Sequence, residues 1–246
     1  MHQFEKKDFS ISTYFSEGIT LFKKNPWIFI GFTLVYFIVN MVVAFIPVLG
    51  TIATSLFTFA FFTGFFILAN KAERDEELTL AHGFEGFKKL TPLLMLGLIY
   101  LGVTVLFVLI IGGTTLLPAI LGNSSDPLAI LEAFKQNGVF LFVAIFIFAF
   151  IALFALVYAP MFIYFKNESP LDSIKSSFNL ALKNPLKLIL MIILGSILVM
   201  ISAILLVLPM FAAIPVLYNS IYAAWKDQSG YTESEGGNYN IIDNLV

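Results

Sequence analysis

The stretch that decides the fold is GITLFKKNPWIFIGFTLVYFIVNMVVAF, which runs from Gly18 to Phe45. Two lysines, an asparagine and a proline separate a segment of mixed polarity from about 20 apolar residues, the length that crosses the hydrocarbon core of a bilayer. Proline suits the first turn of a helix and disfavours helix in the residue before it. The pattern therefore predicts a helix outside the membrane, a corner at Pro26 and then a membrane-spanning helix.

The same pattern recurs twice further along the chain, as GFEGFKK before Pro92 and as NLALKNP ending on Pro185. In each copy, apolar residues three or four apart predict an amphipathic helix. The three apolar stripes are Ile11, Phe15, Ile19 and Phe22; Leu80, Phe84 and Phe87; and Leu171, Ile174, Phe178 and Ala181. We therefore predict three parallel units, at about 9–70, 78–165 and 169–226, with helix corners at Pro26, Pro92 and Pro185.

Composition places the chain among membrane proteins, because 59% of its residues are hydrophobic and only 12% are charged, against about 25% charged in soluble domains. Long apolar runs without two-residue alternation favour spanning helices over barrel strands. Six stretches qualify, at roughly Pro26–Ile46, Thr51–Asn70, Pro92–Ile111, Val139–Phe165, Pro185–Leu208 and Pro209–Trp225. The predicted fold class is all-α, a polytopic bundle of six transmembrane helices in three hairpins, each preceded by a cytoplasmic amphipathic helix.

The distribution of basic residues predicts the orientation. Of the 14 Lys and Arg residues, all except Lys135 lie near the N-terminus, between hairpins or just after the last span. By the positive-inside rule both termini are then cytoplasmic.

Two segments outside the spans also carry predictions. The linker Gly112–Gly138 is expected to form a short amphipathic helix at the membrane interface, starting at Asp126-Pro127. Its apolar positions would be Leu128, Ile130, Leu131 and Phe134. The polar tail 227–246 is expected to be disordered and cytoplasmic, which leaves 1–226 as a single transmembrane domain.

The basic ends of the three amphipathic helices are the candidate lipid-headgroup sites. Their lysines are Lys23, Lys24, Lys88, Lys89 and Lys183. A lysine near anionic headgroups contributes about 1 kcal/mol to membrane binding. The leading hypothesis is therefore a non-enzymatic membrane protein of unknown physiological role that engages membrane lipids through these helices. An alternative use of the same helices is a collar that docks a protein partner or a homo-oligomer.

A transporter or channel for a small or lipidic solute is the alternative function. Its path would be lined by the polar groups inside the spans, which are Asn40, Asn219, Tyr36, Tyr100, Tyr158 and Tyr222. An amide between helices typically adds about 0.6 kcal/mol of packing stability, so structural packing is the simpler interpretation of the two asparagines.

Reactive constellations are missing from the sequence. There is no Cys, and His2 and His82 are the only histidines, so no recognisable zinc site can form. No phosphate-binding loop, nucleophile elbow or paired carboxylates are found. We therefore predict no enzymatic activity, cofactor or metal, and the net charge of −2 gives no reason to expect a nucleic-acid partner.

The combination of motifs is familiar. EGITLFKKNPWIFIGFTLVYFIV, FIPVLGTI, LAHGFEGFKKLTPLLMLGLIY, SPLDSIKSSFNLALKNPLKLI and PVLYNSIYAAWKD together resemble an uncharacterised family of bacterial six-span inner-membrane proteins. The resemblance covers nearly the whole chain, from Ser10 to Asp227. More loosely, the chain is similar to the membrane domain that precedes the catalytic domain in some glycerophosphodiester phosphodiesterases. The resemblance implies a bacterial cytoplasmic membrane location and supplies no catalytic residues.

Overall fold

The computed structural model describes residues 8–46, 49–121, 127–205 and 207–232. These residues form α-helices and a 3₁₀ helix and contain no strand, in agreement with the predicted all-α class. The α-helices are α1 (Ile11–Lys24), α2 (Pro26–Ala44), α3 (Leu49–Glu73), α4 (Leu90–Leu121), α5 (Pro127–Leu156), α6 (Ala159–Lys166), α7 (Pro170–Ala181), α8 (Pro185–Leu205) and α9 (Val207–Ser229); the 3₁₀ helix is Leu80–Lys89.

Six helical stretches of the described chain are long and apolar enough to cross a membrane. They are Pro26–Ala44, Ile52–Glu73, Leu80–Gly113, Lys135–Lys166, Pro185–Leu205 and Leu208–Ser229. The prediction of a multi-pass helical membrane protein is thereby confirmed, while the side of the membrane that each end faces stays a prediction.

Two of the three predicted corners lie at the expected prolines. Pro26 and Pro185 are the first residues of α2 and α8, and the Asn25 side chain caps α2 by accepting a hydrogen bond from Ile28 N at 3.4 Å. The third corner is not found, because the 3₁₀ helix passes into α4 with no residue between them and Pro92 is the third residue of α4. Proline is tolerated there because the first turn of a helix leaves its N–H groups unbonded.

The segments outside the spans differ from the sequence predictions. The short interface helix predicted after Asp126 is not a separate element, since α5 begins at Pro127 and continues to Leu156. The fourth span breaks instead between α5 and α6, just before Pro160, whose ring clashes with the carbonyl four residues earlier and whose nitrogen cannot donate.

The start of the predicted disordered tail belongs to the folded part of the chain. Helix α9 continues to Ser229, and Tyr231 is buried with its ring 5.6 Å from that of Phe165 and 5.0 Å from that of Trp225. The rest of the predicted tail, 233–246, lies outside the described residues.

The helices that open the three sequence units, here called leading helices, are α1, the 3₁₀ helix and α7. The helices that close the units, here called returning helices, are α3, α6 and α9. Each leading helix packs against the returning helix of the preceding unit: the 3₁₀ helix against α3, and α7 against α6. Helix α1 packs against α9, so the first unit contacts the last and the three contacts form a closed cycle.

The leading helices bury equivalent positions in these contacts. In α1 the buried residues are Tyr14, Gly18 and Leu21; in α7 they include Ser173, Ser177 and Leu180, each 159 positions later. The predicted apolar stripes of α1 and α7 therefore coincide only in part with the buried faces, since Ile19 is 41% exposed and Leu171 60% exposed whereas Ala181 is buried. Lipid-facing and protein-facing surfaces are equally apolar in a membrane protein, and close helix contacts select small residues instead.

The 3₁₀ helix is explained by two glycines spaced three apart. Gly83 and Gly86 both face α3, because residues i and i+3 of a 3₁₀ helix lie in one line. A Cβ atom on Gly83 would lie 2.4 Å from the Phe32 ring, and one on Gly86 would lie 2.4 Å from Ala60 O. This geometry corrects the stripe predicted for the middle unit, because Leu80 lies in the glycine line rather than with Phe84 and Phe87.

The chain divides into two compact units, 1–97 with 154–246 and 98–153. In the first, the C-terminal halves of α3 and α9 form the core, where the rings of Phe65 and Tyr218 stack at 4.8 Å. Helices α2 and α8 expose large apolar side chains such as Met41 and Ile204. In the second unit the rings of Phe107 and Phe148 stack at 4.2 Å.

Candidate functional site

Two of the five candidate headgroup lysines bind the protein's own helix ends. Lys24 Nζ donates to Ala72 O at 2.8 Å and forms an ion pair with Asp75 at 2.7 Å. Carbonyl groups at a helix C-terminus lack partners within the helix, and the end carries partial negative charge, so Lys24 caps α3. Lys89 Nζ likewise donates to Asn167 Oδ1, directly after α6.

The other three lysines have no bond to a helix end among the described residues. Lys23 is exposed and Lys183 is partly exposed. Lys88 forms a 3.0 Å ion pair with Glu85 while its side chain stays mostly exposed, and such surface pairs contribute little energy. The structure thus separates the predicted lysines into two that stabilise helix ends and three whose ammonium groups can meet an external anion.

A large apolar residue beside two of the corners was missed by sequence reasoning. Trp27 follows Pro26 and Leu186 follows Pro185, and each is 80% exposed. At the third position, Leu93 after Pro92 is fully buried. Two equivalent corners therefore present an exposed apolar side chain directly after the proline, with Lys23 or Lys183 within four residues of it. The shared position after the proline was the signal that could have found these two residues.

Asn40 and Tyr36 lie together on α2. Asn40 Nδ2 donates to Tyr36 O of the preceding turn at 2.8 Å. Both residues line a mainly apolar cavity of about 220 Å³ between α2 and α3. None of the other predicted intramembrane polar residues lines this cavity.

The remaining intramembrane candidates are dispersed. Asn219 is buried where α1 crosses α9, and its Nδ2 is 3.4 Å from Gly18 O. Tyr158 is buried beside α7, with its backbone N–H donating to Ser177 Oγ at 3.1 Å. Tyr100 belongs to a helix stretch of the second compact unit, and Tyr222 lies near the end of α9. Of the six predicted path residues, only Tyr36 and Asn40 line the cavity between α2 and α3, and these four do not.

A polar cleft of about 920 Å³ lies between α1, the ends of α3 and α9, and residues 230–232. Serine and threonine side chains of α1 form one wall. The charged residues that line it are Glu17, Lys24, Glu73, Lys226 and Asp227. This cleft is the candidate binding site, because charged and hydroxyl side chains supply much of its lining.

Glu73 is held by a network that joins α3 to α9. Lys226 Nζ binds Glu73 Oε1 at 2.5 Å, and Tyr222 Oη donates to Glu73 Oε2 at 3.0 Å. Asn70 Nδ2 in turn donates to Tyr222 Oη at 2.8 Å. Both carboxylate oxygens of Glu73 and the ammonium of Lys226 are therefore already bonded.

A second network joins α1 to α9 and α8. Tyr14 Oη donates to Asp227 Oδ2 at 2.5 Å, and Gln228 Nε2 donates to Tyr14 Oη at 2.9 Å. Asn184 Nδ2 donates to Gln228 Oε1 at 2.9 Å. Burial, together with the hydrogen bond to Asp227, raises the pKa of Tyr14 well above its ordinary value, so the phenol stays a proton donor.

Glu17 differs from its neighbours because no hydrogen-bond or ion-pair partner is found for it among the described residues. Burial and the negative charges of Glu73 and Asp227 raise the pKa of Glu17, and Lys226 opposes them. Sequence reasoning missed this residue together with Glu73 and Lys226. They lie far apart in the chain, and no local pattern brings them together.

Comparison with known proteins gives a family but no activity. Within the described residues there is no group of three or more acidic or histidine side chains arranged to hold a metal ion. No curated protein and no solved structure matches the chain. The sequence pattern of a domain of unknown function, DUF7847, matches residues 9–231, and the chain therefore belongs to that family.

Proposed function

We propose that this chain is a non-enzymatic multi-pass protein of a bacterial cytoplasmic membrane that binds anionic lipid of the inner leaflet through its basic corners. Both termini would then be cytoplasmic. The observation that carries the proposal is the pair of corners at which Trp27 and Leu186 are each 80% exposed next to Lys23 and Lys183.

The residue types suit the boundary between water and hydrocarbon. Tryptophan is enriched at this boundary because its ring is apolar while its N–H can bond to headgroups. A lysine one turn away can extend its ammonium group to a lipid phosphate while its stem lies along the apolar surface. Each corner could therefore hold a lipid at both its headgroup and its upper acyl chain.

The two tryptophans of the chain allow a direct test, because Trp27 is exposed and Trp225 is fully buried. In nanodiscs, brominated lipid should quench the fluorescence of the Trp225→Phe variant, which retains Trp27. Quenching should be strongest when bromine lies near the carbonyl end of the acyl chain. The Trp27→Phe variant is the matched control and should be quenched weakly, and equal quenching of both would contradict the proposal.

The lysines are tested by lipid selectivity. Lys23→Gln with Lys183→Gln should reduce the preference of Trp27 quenching for brominated phosphatidylglycerol over phosphatidylcholine by roughly fivefold, since Lys23 is the accessible lysine at the Trp27 corner and one lysine contributes about 1 kcal/mol. Lys135→Gln is the control because Lys135 is predicted to face the other side. An unchanged preference in the double variant would favour a protein partner at the corners instead of lipid.

Transport of a solute has no supporting observation of its own in the described residues, since Asn40 and Asn219 do not line a common cavity. Liposomes that contain the purified protein provide the test. Flux of a small solute that exceeds the flux through protein-free vesicles would favour a transporter over the lipid-binding function.

A further inference from the structure

The three contacts between leading and returning helices can be compared position by position. The returning helices align on their lysines as FFILANKAE (65–73), PMFIYFKNE (160–168) and SIYAAWKDQ (220–228). The structure supports this alignment, because Lys24 binds Ala72 and Lys89 binds Asn167, which are aligned positions.

The comparison shows that the polar side chains of the cleft are not needed for helix packing. Tyr222 aligns with Ile67 and Phe162, and all three are buried. Asn70 aligns with Phe165 and Trp225, which are also buried. Apolar residues thus fill these positions in the other units. Tyr222, which lines the cleft, and Asn70 behind it instead form a hydrogen-bonded support for Glu73.

Among the described residues, one charged group of the cleft has no partner. Lys24 donates to Ala72 O, Glu73 O and Asp75, and Lys226 is paired with Glu73, so each ammonium already has an acceptor inside the protein. Asp227 accepts from Tyr14 and Gln228. Glu17 keeps an unpaired carboxylate, and the C-terminal ends of α3 and α9 add negative potential.

We propose that the cleft binds a small organic cation through a primary ammonium group, with the Glu17 carboxylate as its ion-pair partner. The cavity volume of about 920 Å³ lies in the range of small-molecule sites. Glu17 is exposed, so water solvates its carboxylate in the open cleft. An ammonium group would add an ion pair there, whereas an anion or an apolar group would displace that water without replacing its hydrogen bonds.

Hydrogen bonding favours a primary ammonium over a quaternary one. Thr20 donates its hydroxyl proton to Ser16 O at 2.8 Å, so its oxygen is left as an acceptor. Thr20 lies three residues after Glu17, and residues at this spacing are neighbours on a helix surface. A primary ammonium has three N–H donors for these oxygens, whereas a quaternary ammonium has none.

The ammonium group has two possible sources, a free amine or the headgroup of an aminophospholipid. Ethanolamine is the soluble probe, measured by calorimetry on the full chain in detergent, with choline as the matched quaternary compound. Nanodiscs that contain phosphatidylethanolamine or phosphatidylcholine provide the lipid arm, measured by lipid retention in native mass spectrometry. Binding of ethanolamine identifies the free amine as a ligand, and selective retention of phosphatidylethanolamine identifies the lipid.

Glu17→Gln should weaken either interaction about tenfold or more, because a hydrogen bond to a charged group contributes about 1.5–3 kcal/mol. Glu77→Gln is the control, since Glu77 is exposed and does not line the cleft. The thermal unfolding midpoint of both variants shows whether they are folded.

The proposal is overturned if neither ethanolamine nor phosphatidylethanolamine binds, or if choline and phosphatidylcholine bind equally well. It is also overturned if folded Glu17→Gln binds as tightly as Glu77→Gln. Because Trp27 does not line the cleft, quenching of Trp27 by brominated lipid would be unaffected in every case, so this result is independent of the corner test.

Discussion

Replacement of Gly18 by alanine is expected to force α1 away from α9. A Cβ atom at position 18 would lie 2.2 Å from Ser220 Oγ, 2.8 Å from Val216 O and 2.9 Å from Ser220 N. Non-bonded carbon atoms prefer separations of about 3.5–4.0 Å, so the two helices must move apart by roughly 1 Å. Overpacking of this kind costs about 1–3 kcal/mol, and we expect a loss of about 2 kcal/mol in the free energy of unfolding.

The contributions of side chain and backbone can be separated with a second substitution. Ser220→Ala removes the nearest atom but leaves the contacts to Val216 O and Ser220 N, so the double variant should recover only part of the stability. Gly102→Ala is the control, because no atom lies within 4 Å of a Cβ at that position and alanine favours helix over glycine by about 1 kcal/mol.

The assay combines thermal unfolding in detergent with cysteine labelling. The chain has no Cys, so a single Leu21→Cys reports on the buried face of α1. Its reaction with a maleimide should be slow in the otherwise unaltered chain and faster when Gly18→Ala is added. Equal unfolding midpoints and equal labelling rates of the Leu21→Cys protein with and without Gly18→Ala would refute close packing of α1 on α9.

Two further predictions concern charges on α1. Lys24→Met should lower the free energy of unfolding by about 1 kcal/mol, because the cap on α3 and the ion pair with Asp75 are lost. The control Lys23→Met, at an exposed position, should change this free energy by less than about 0.5 kcal/mol. Equal effects of the two variants in chemical unfolding would contradict the capping role of Lys24. Because the pKa of Glu17 is raised in the folded protein, Glu17 holds its proton more tightly in the folded state than in the unfolded state. Stability is therefore lost as the pH rises from the pKa of Glu17 in the unfolded chain to its pKa in the folded protein. Glu17→Gln should therefore raise the thermal unfolding midpoint at pH 7. The difference in midpoint between the variant and the unaltered protein should disappear below the pKa that Glu17 has in the unfolded chain. A Glu17→Gln variant that is less stable than the unaltered protein at pH 7 would contradict this reasoning.

The spans and two of the corners could be predicted because their signals are local. Twenty apolar residues after Pro26 or Pro185 have one favourable conformation in a bilayer, since every backbone polar group must bond within the segment. Proline then determines where the helix begins. Prediction of the six spans therefore required no knowledge of which helices pack against each other.

The packed faces could not be predicted because hydrophobicity does not distinguish lipid from protein as a neighbour. The stripe through Ile11, Phe15 and Ile19 is the more apolar face of α1, yet Tyr14 and Gly18 pack against α9. Gly83 and Gly86 show the same effect, because a residue without a side chain carries no hydrophobic signal. The useful signal was the glycine that opens both GITLFKK and GFEGFKK, at Gly18 and Gly83.

The cleft was beyond prediction for a different reason. Glu17, Glu73 and Lys226 meet because α1 crosses α9 while Lys24 caps α3, so the site exists only where the last unit contacts the first. Repetition in the sequence suggests three equal junctions. Only comparison of aligned positions such as Ile67, Phe162 and Tyr222 shows that α9 carries a polar side chain where the other two returning helices are apolar.

Helix α1 therefore takes part in both proposed interactions. Its end leads directly to the exposed Trp27, while its polar side carries Glu17 into the cleft. The Lys24 ammonium lies between these features and is bonded to the end of α3, so a displacement of α1 would alter both the corner and the cleft. Because Gly18 allows α1 to approach α9 closely, the contact between the first and last units determines the shape of the cleft and the position of a membrane-facing corner together.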